Sequence, residues 1–211
     1  MLDEVAPGLW RWTARHPAWR PGAEAESPSD WPPEVGCVAC ALPDRFVLID
    51  PLVPVDGAGD PWPPIDDAIR GHGRPVSVLT TIKWHRRSRE AFVERYGAST
   101  SRARQALPAG VETIPIRRAG ETMIWLPEHR ALVPGDRLLG DGREGLRLCP
   151  ASWLGYLSTG ITLADLREAL RPLLDLPVER VLVSHGEPVL SGGREAIARA
   201  LAPPRPRKIG P

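Results

Sequence analysis

Short apolar runs and stretches of alternation divide the chain into candidate elements. Val5 to Ala14 alternates loosely, and as a strand it places Trp10 and Trp12 on one face. Val35–Leu42 and Arg45–Ile49 read as two strands joined by a turn at Pro43-Asp44. Ile65 to Gly71 offers one or two helical turns, and the β-branched run Val76–Thr81 is a strand. Ser88 then caps a helix over Arg89–Tyr96 that Gly97 stops. Ser101 is placed to cap another short helix through Leu107. Val111–Ile116 and Glu121–Leu126 are strands, and Ala131–Val133 pairs back across a turn at 127–130. Thr162 caps a helix over Leu163–Leu174, with Leu163, Leu166, Leu170 and Leu174 along one face. Val181–Val183 is a buried strand, and Gly192-Gly193 opens a last helix over Arg194–Leu201. His16–Glu34, Pro54–Pro64 and Leu138–Gly160 read as loops. This order suits α/β layers around mixed sheets.

Three of the strands end on chemistry. Val76–Thr81 runs into Ile82-Lys83-Trp84-His85-Arg86-Arg87. Arg130–Pro134 delivers Asp136, and Arg180–Val183 delivers His185. Loops at the carboxyl ends of strands are where such folds carry their sites, so these three ends are expected to meet. The long loop 16–34, with Trp19 and Trp31, reads as either a lid or a surface excursion pinned by its tryptophans.

Composition narrows the classes of partner. A chain of 211 residues with net charge +1 has no electrostatic footprint for nucleic acid or a membrane surface. No apolar run approaches the length of a membrane span. The expected partner is a small molecule, with oligomeric state left open. Residues 1–202 are expected to form one domain, and 203–211 a disordered Pro/Arg tail. Three cysteines and no signal-peptide pattern point to a reducing, cytoplasmic setting. Cys37 and Cys40 have the Cys-x-x-Cys spacing but fall within a strand, where they face opposite sides. They read as small buried hydrophobes rather than a zinc or redox pair. His129, in its turn, reads as an exposed loop residue.

Four pieces in this order and spacing resemble the metallo-β-lactamase superfamily: Phe46-Val-Leu-Ile-Asp50-Pro51, the strand 76–81, Leu126-Pro-Glu-His-Arg-Ala-Leu-Val-Pro-Gly-Asp136, and Leu182-Val-Ser-His185-Gly186. The resemblance spans about Val5 to Leu201. It implies a four-layer αββα sandwich and a metal-dependent hydrolase of esters, amides, thioesters or phosphodiesters. In that family a His-x-His-x-Asp-His motif follows the strand and supplies most ligands for one or two zinc or iron ions. A further His precedes the hairpin, the Asp of Gly-Asp bridges the metals, and the late His-Gly histidine completes the second site. Here the motif positions fall on Ile82, Trp84, Arg86 and Arg87, with His85 one place off, and there is no His near residues 117–119. Asp136 and His185 match. The resemblance therefore supports the fold better than the activity.

Two readings of the site follow. In the first, Asp136, His185 and His85 form a three-ligand set for a single divalent metal, zinc first, with Asp136 and His185 as the catalytic pair. In the second, the protein is a metal-free, non-catalytic member. Arg86 and Arg87, beside Trp84, then bind a small anionic ligand, and one of these arginines pairs with Asp136. A plainer alternative is that Asp136 and His185 only tie loops together.

Overall fold

The computed structural model describes residues 2–53, 62–100, 107–142 and 145–203. The first half builds a six-stranded sheet. A hairpin of β1 (Asp3–Ala6) and β2 (Leu9–Arg15) leads through loop 16–33 to β3 (Glu34–Ala41) and β4 (Phe46–Ile49). After α1 (Pro63–His72) come β5 (Val76–Leu79), α2 (Arg89–Tyr96) and β6 (Ser99–Thr100). The strand order is β1-β2-β3-β4-β5-β6. Pairing is antiparallel up to β4 and parallel from β4 to β6. Parallel neighbours need a crossover, and α1 and α2 lie in those connections.

The second half contains β7 (Glu112–Ile116), β8 (Glu121–Leu126), β9 (Ala131–Val133), the hairpin β10 (Leu138–Gly140) and β11 (Leu146–Leu148), a 3-10 turn (Ala151–Leu154), α3 (Leu163–Leu170), β12 (Arg180–Val181) and α4 (Gly193–Leu201). Its four-stranded sheet has the order β12-β9-β8-β7.

Period-two alternation sorts the strand residues into layers. In β4, Val47 and Ile49 face the other sheet, while Phe46 and Leu48 face the helices. The layer between the sheets joins Leu9, Val38, Val47 and Leu79 to Ile124, Leu126, Val133 and Leu182. Ile65, Ile69 and Phe92 of α1 and α2 cover the first sheet. Leu166, Leu170 and Ile197 of α3 and α4 cover the second, against Met123, Trp125 and Leu132. The result is the expected αββα order of layers. Cys37 and Cys40 lie on opposite faces of β3, free and buried. Among the described residues, no helix is long and apolar enough to cross a membrane.

Several expectations change in detail. The helix expected at 65–71 starts earlier, at Pro63, because a proline in the first turn gives up a donor that has no partner there anyway. Ser88 stands at the N-cap of α2 without capping it, since its hydroxyl accepts the Val53 N–H at 3.0 Å instead. Thr162 does cap α3, in a reciprocal box with Asp165. That helix stops at Leu170, not Leu174. Pro172 cannot donate to the helical ladder, and Arg171–Asp175 continues as a 3-10 turn. The loop 138–160 contains the β10–β11 hairpin and a 3-10 turn, and His129 is half-buried rather than exposed. The helix expected from Ser101, residues 54–61 and the tail 204–211 lie outside the described residues.

Candidate functional site

The site lies where strand ends of both sheets come together, and each functional group is held by a local device. Asp50 directly follows β4, in the left-handed region at φ 50°. Its carboxylate accepts the Thr81 N–H at 2.8 Å through Oδ1 and the Thr81 hydroxyl through Oδ2. The tight turn after β5 is closed by the His85 N–H donating to the Ile82 carbonyl at 2.9 Å. It turns the His85 ring inward. His85 Nδ1 lies 2.9 Å from Asp50 Oδ2, and Nε2 lies 3.0 Å from Asp136 Oδ1.

Asp136 sits on a turn held by a third carboxylate. Glu121, fully buried at the start of β8, accepts the backbone N–H groups of Gly135, Asp136 and Arg137 at 3.0, 2.7 and 3.0 Å. Burial and the neighbouring Asp136 push its pKa up to about 7, against the pull of Arg137 and those N–H donors. Arg137 is also fully buried, with Nε donating to the Ala119 carbonyl at 3.0 Å.

His185 follows β12. Its carbonyl accepts the Gly140 N–H at 2.9 Å, and its Nε2 lies 3.4 Å from Asp136 Oδ1. Trp31 and Trp153 present edges to its ring, at centroid separations of 5.7 and 5.4 Å. The close approach behind His185 depends on two glycines. Gly186 adopts φ +84°, and a Cβ on Gly140 would sit 2.6 Å from the Glu187 nitrogen. Gly140→Ala is therefore expected to cost about 2–3 kcal/mol through overpacking against backbone, read as a lower urea midpoint at unchanged slope. A midpoint equal to wild type would show that this approach tolerates a methyl group.

The charges interlock. Burial disfavours a proton on His85, but Asp136 and Asp50 on either side outweigh it and raise its pKa to about 9. Asp136 is held well below the usual carboxylate range, because the two imidazoles outweigh its burial. His185 is pushed down, mainly by burial. The His85 ring lies between two carboxylates, which favour its protonated form. Among the described residues, Oδ1 of Asp136 has no partner with hydrogen-bond geometry, although two imidazole nitrogens converge on it, and His185 Nδ1 is buried without a partner.

Ligand atoms of His85, Asp136 and His185 all lie within 4.8 Å of one another, and all three residues are buried. Two imidazoles and one carboxylate are a donor set that zinc or iron accepts. Asp50 behind His85 matches the carboxylate that usually orients a metal-bound imidazole. The residues present fit one divalent cation.

The three groups open on a cavity of about 450 Å³ lined by His16, Trp31, Lys83, Trp84, Arg137, Trp153 and Tyr156, among others. The loop 16–34 forms one wall and is tied down. The Ser152 hydroxyl donates to the Glu26 carbonyl, the Trp153 indole to the Ser27 carbonyl at 3.2 Å, and the Trp19 indole to the Trp31 carbonyl at 2.9 Å.

The arginines behave differently from expectation. Arg86 is exposed and does not line the cavity. Arg87 does line it, but its Nη1 donates to the Gly36 carbonyl at 2.8 Å and to the Asp50 carbonyl at 2.7 Å, and Nη2 to the Ser184 hydroxyl at 3.4 Å. It therefore clamps the ends of both sheets. Its backbone is left-handed at φ 43°, a cost that these bonds offset. Neither arginine is the partner of Asp136. That place is taken by the Trp84 indole, which donates to Oδ2 at 2.6 Å.

Asp50, Glu121 and Arg137 were not anticipated as parts of the site. Asp50 had a signal, since it ends an apolar run just as Asp136 and His185 do. Glu121 carried only a faint one, an acid directly after Gly120 at the start of a buried strand.

No family model matches the chain, and no curated protein matches it in sequence. Solved structures do match over its length. A metallo-β-lactamase from Hirschia baltica superposes with a TM-score of 0.58 at 12% identity, covering 96% of this chain and 98% of that one. VMB-1 gives 0.57 at 12% identity, with the same coverage of 96% and 98%. The mono-zinc form of FIM-1 from Pseudomonas aeruginosa gives 0.53 at 11% identity, covering 95% and 94%.

Proposed function

We propose that this chain, which has the metallo-β-lactamase fold, is a hydrolase working with a single divalent cation, zinc first, held by His85, Asp136 and His185. The observation that carries this reading is the convergence of three buried ligand groups, within 4.8 Å, at the floor of a cavity. When bound, the metal supplies Lewis acidity: it polarises a carbonyl or phosphoryl oxygen and acidifies water.

The chain's own residues do the rest. Asp50 holds His85 Nδ1, so that Nε2 faces the centre. Glu121 fixes the turn that presents Asp136. Trp31 and Trp153 box His185 and exclude water from its ring. Trp84, Trp153 and Tyr156 offer flat apolar walls to a small substrate with an aromatic or apolar part. Lys83 and His16, also in the lining, are the polar groups available to orient it. The free, buried cysteines suit a reducing compartment, which we take to be the cytoplasm.

One observation favours a second, metal-free reading. His85 lies between Asp50 and Asp136, at 2.9 and 3.0 Å, and its raised pKa lets it supply a positive charge to the two carboxylates without a metal. The protein would then bind a small ligand without turning it over. An anion held by Arg86 and Arg87 is the form of that reading with least support, since Arg86 stands outside the cavity.

Metal content separates the two. Purified without chelator, the protein is expected to carry close to one equivalent of zinc, iron or manganese. It should hydrolyse at least one member of a panel of aryl esters, amides, thioesters and phosphodiesters, with activity lost on chelation and restored by metal. Metal content near zero, with no thermal shift on adding any of the three ions, would sink the first reading.

A further inference from the structure

Asp136 has two carboxylate oxygens, and the structure treats them differently. Oδ1 faces the imidazoles of His85 and His185 at 3.0 and 3.4 Å. Oδ2 accepts the Trp84 indole N–H at 2.6 Å, shorter than an ordinary N–H···O bond. The indole is itself flanked by charge. Lys83 Nζ lies 5.6 Å from the centroid of its ring and Arg137 Cζ lies 5.9 Å from it. Cations over an indole face are attracted to it, which favours the observed ring placement. They also place two positive charges around the indole that holds Oδ2, which disfavours a second cation beside it. Among the described residues, the only group of three or more His, Cys, Asp or Glu that could hold a metal is His85, Asp136 and His185, and it is Oδ1 of Asp136 that the two imidazoles approach.

We propose that Trp84 is the positioning residue that makes Asp136 a one-oxygen ligand and confines the site to one divalent cation. This rests on the metal reading above and adds a stoichiometry and a coordination mode to it. The indole N–H engages Oδ2, the oxygen through which Asp136 would otherwise chelate or bridge, and it holds the carboxylate's rotation so that Oδ1 meets the two imidazoles. Trp84 is also 40% exposed and lines the cavity, so a ligand stacked on its ring would press on the group that orients the metal ligand.

The test titrates metal-free wild type and Trp84→Phe with zinc chloride by calorimetry and with cobalt chloride by visible absorption. Phenylalanine keeps a flat aromatic ring and removes the donor together with the indole's second ring. Wild type is expected to bind one equivalent. Trp84→Phe should bind zinc about 10–100-fold more weakly, the usual loss when a partner behind a ligand is removed. Its cobalt band should also weaken as Asp136 turns to offer both oxygens and the coordination number rises, a change that mere loosening of the fold does not produce. Wild-type affinity and an unchanged cobalt spectrum in Trp84→Phe overturn this proposal alone, and so does a second equivalent in wild type. No metal bound by wild type overturns it together with the metal reading. If Trp84→Phe does not fold, the indole N–H signals of 15N-tryptophan-labelled wild type decide. The Trp84 signal should hold its hydrogen-bonded position when zinc is added, and a move to the solvent-exposed position overturns the proposal.

Discussion

Asp136→Ala is expected to abolish stoichiometric metal binding and to destabilise the metal-free protein by about 3 kcal/mol. Asp136 is the only anion among the three converging ligands. Without it, two imidazoles remain, too few to hold a catalytic ion. The loss reaches the metal-free state because the carboxylate is also the acceptor for Trp84 and the counter-charge to His85. Removing one partner of a buried pair leaves the other uncompensated, typically at 3–5 kcal/mol. His85 keeps Asp50 and can shed its proton, which places the cost at the low end. Elemental analysis after gel filtration and a urea transition of the metal-free chain read the two effects. One equivalent of metal retained at wild-type affinity would show that the ion sits elsewhere.

Zinc affinity should rise steeply with pH and then level off. The ion needs neutral imidazoles, and in the metal-free protein His85 holds its proton up to about pH 9. Each pH unit well below that value should weaken zinc binding about tenfold, giving roughly a 15-fold gain between pH 7.5 and 9 and about twofold more beyond. His185 is pushed below the ordinary histidine range and does not titrate in this window. Glu121, raised to about 7, is already largely ionised at its lower end.

Stability of the metal-free chain should run the other way. A histidine whose folded pKa is raised contributes stability that is fully present below its unfolded value near 6.5. That contribution is lost as pH rises through about 9. The thermal shift on adding zinc should therefore grow between pH 7.5 and 9. A shift independent of pH would show that no proton leaves His85.

Layers and strand ends were legible in the sequence, because alternation and apolar runs report which face is buried. Val47 and Ile49 against Phe46 and Leu48 is the plain case. Asp136 and His185 stood out as single polar side chains at the ends of apolar strands. The role of His85 was legible only as an option. Whether it faces inward depends on the turn closed at Ile82 and on the Asp50–Thr81 bonds, which join residues 31 positions apart. The arginines misled for the same reason. Arg87 is a good fork for an anion by composition, yet its donors meet the carbonyls of Gly36 and Asp50, acceptors that exist only once β3 and β4 are in place. The β10–β11 hairpin escaped because strands of three residues carry too little periodicity.

The strap formed by loop 16–34 has a consequence for the order of assembly. Its anchors, Ser152 to Glu26 and Trp153 to Ser27, each join residues 126 positions apart. Closing so long a stretch of chain is costly until both ends already belong to folded layers. The wall that covers His185 can close only after the second sheet has docked on the first. During synthesis the wall over His185 is therefore expected to be among the last parts to form. A nascent chain that has not yet emerged as far as His185 lacks one of the three converging groups, and on the metal reading proposed above it is expected not to bind the ion.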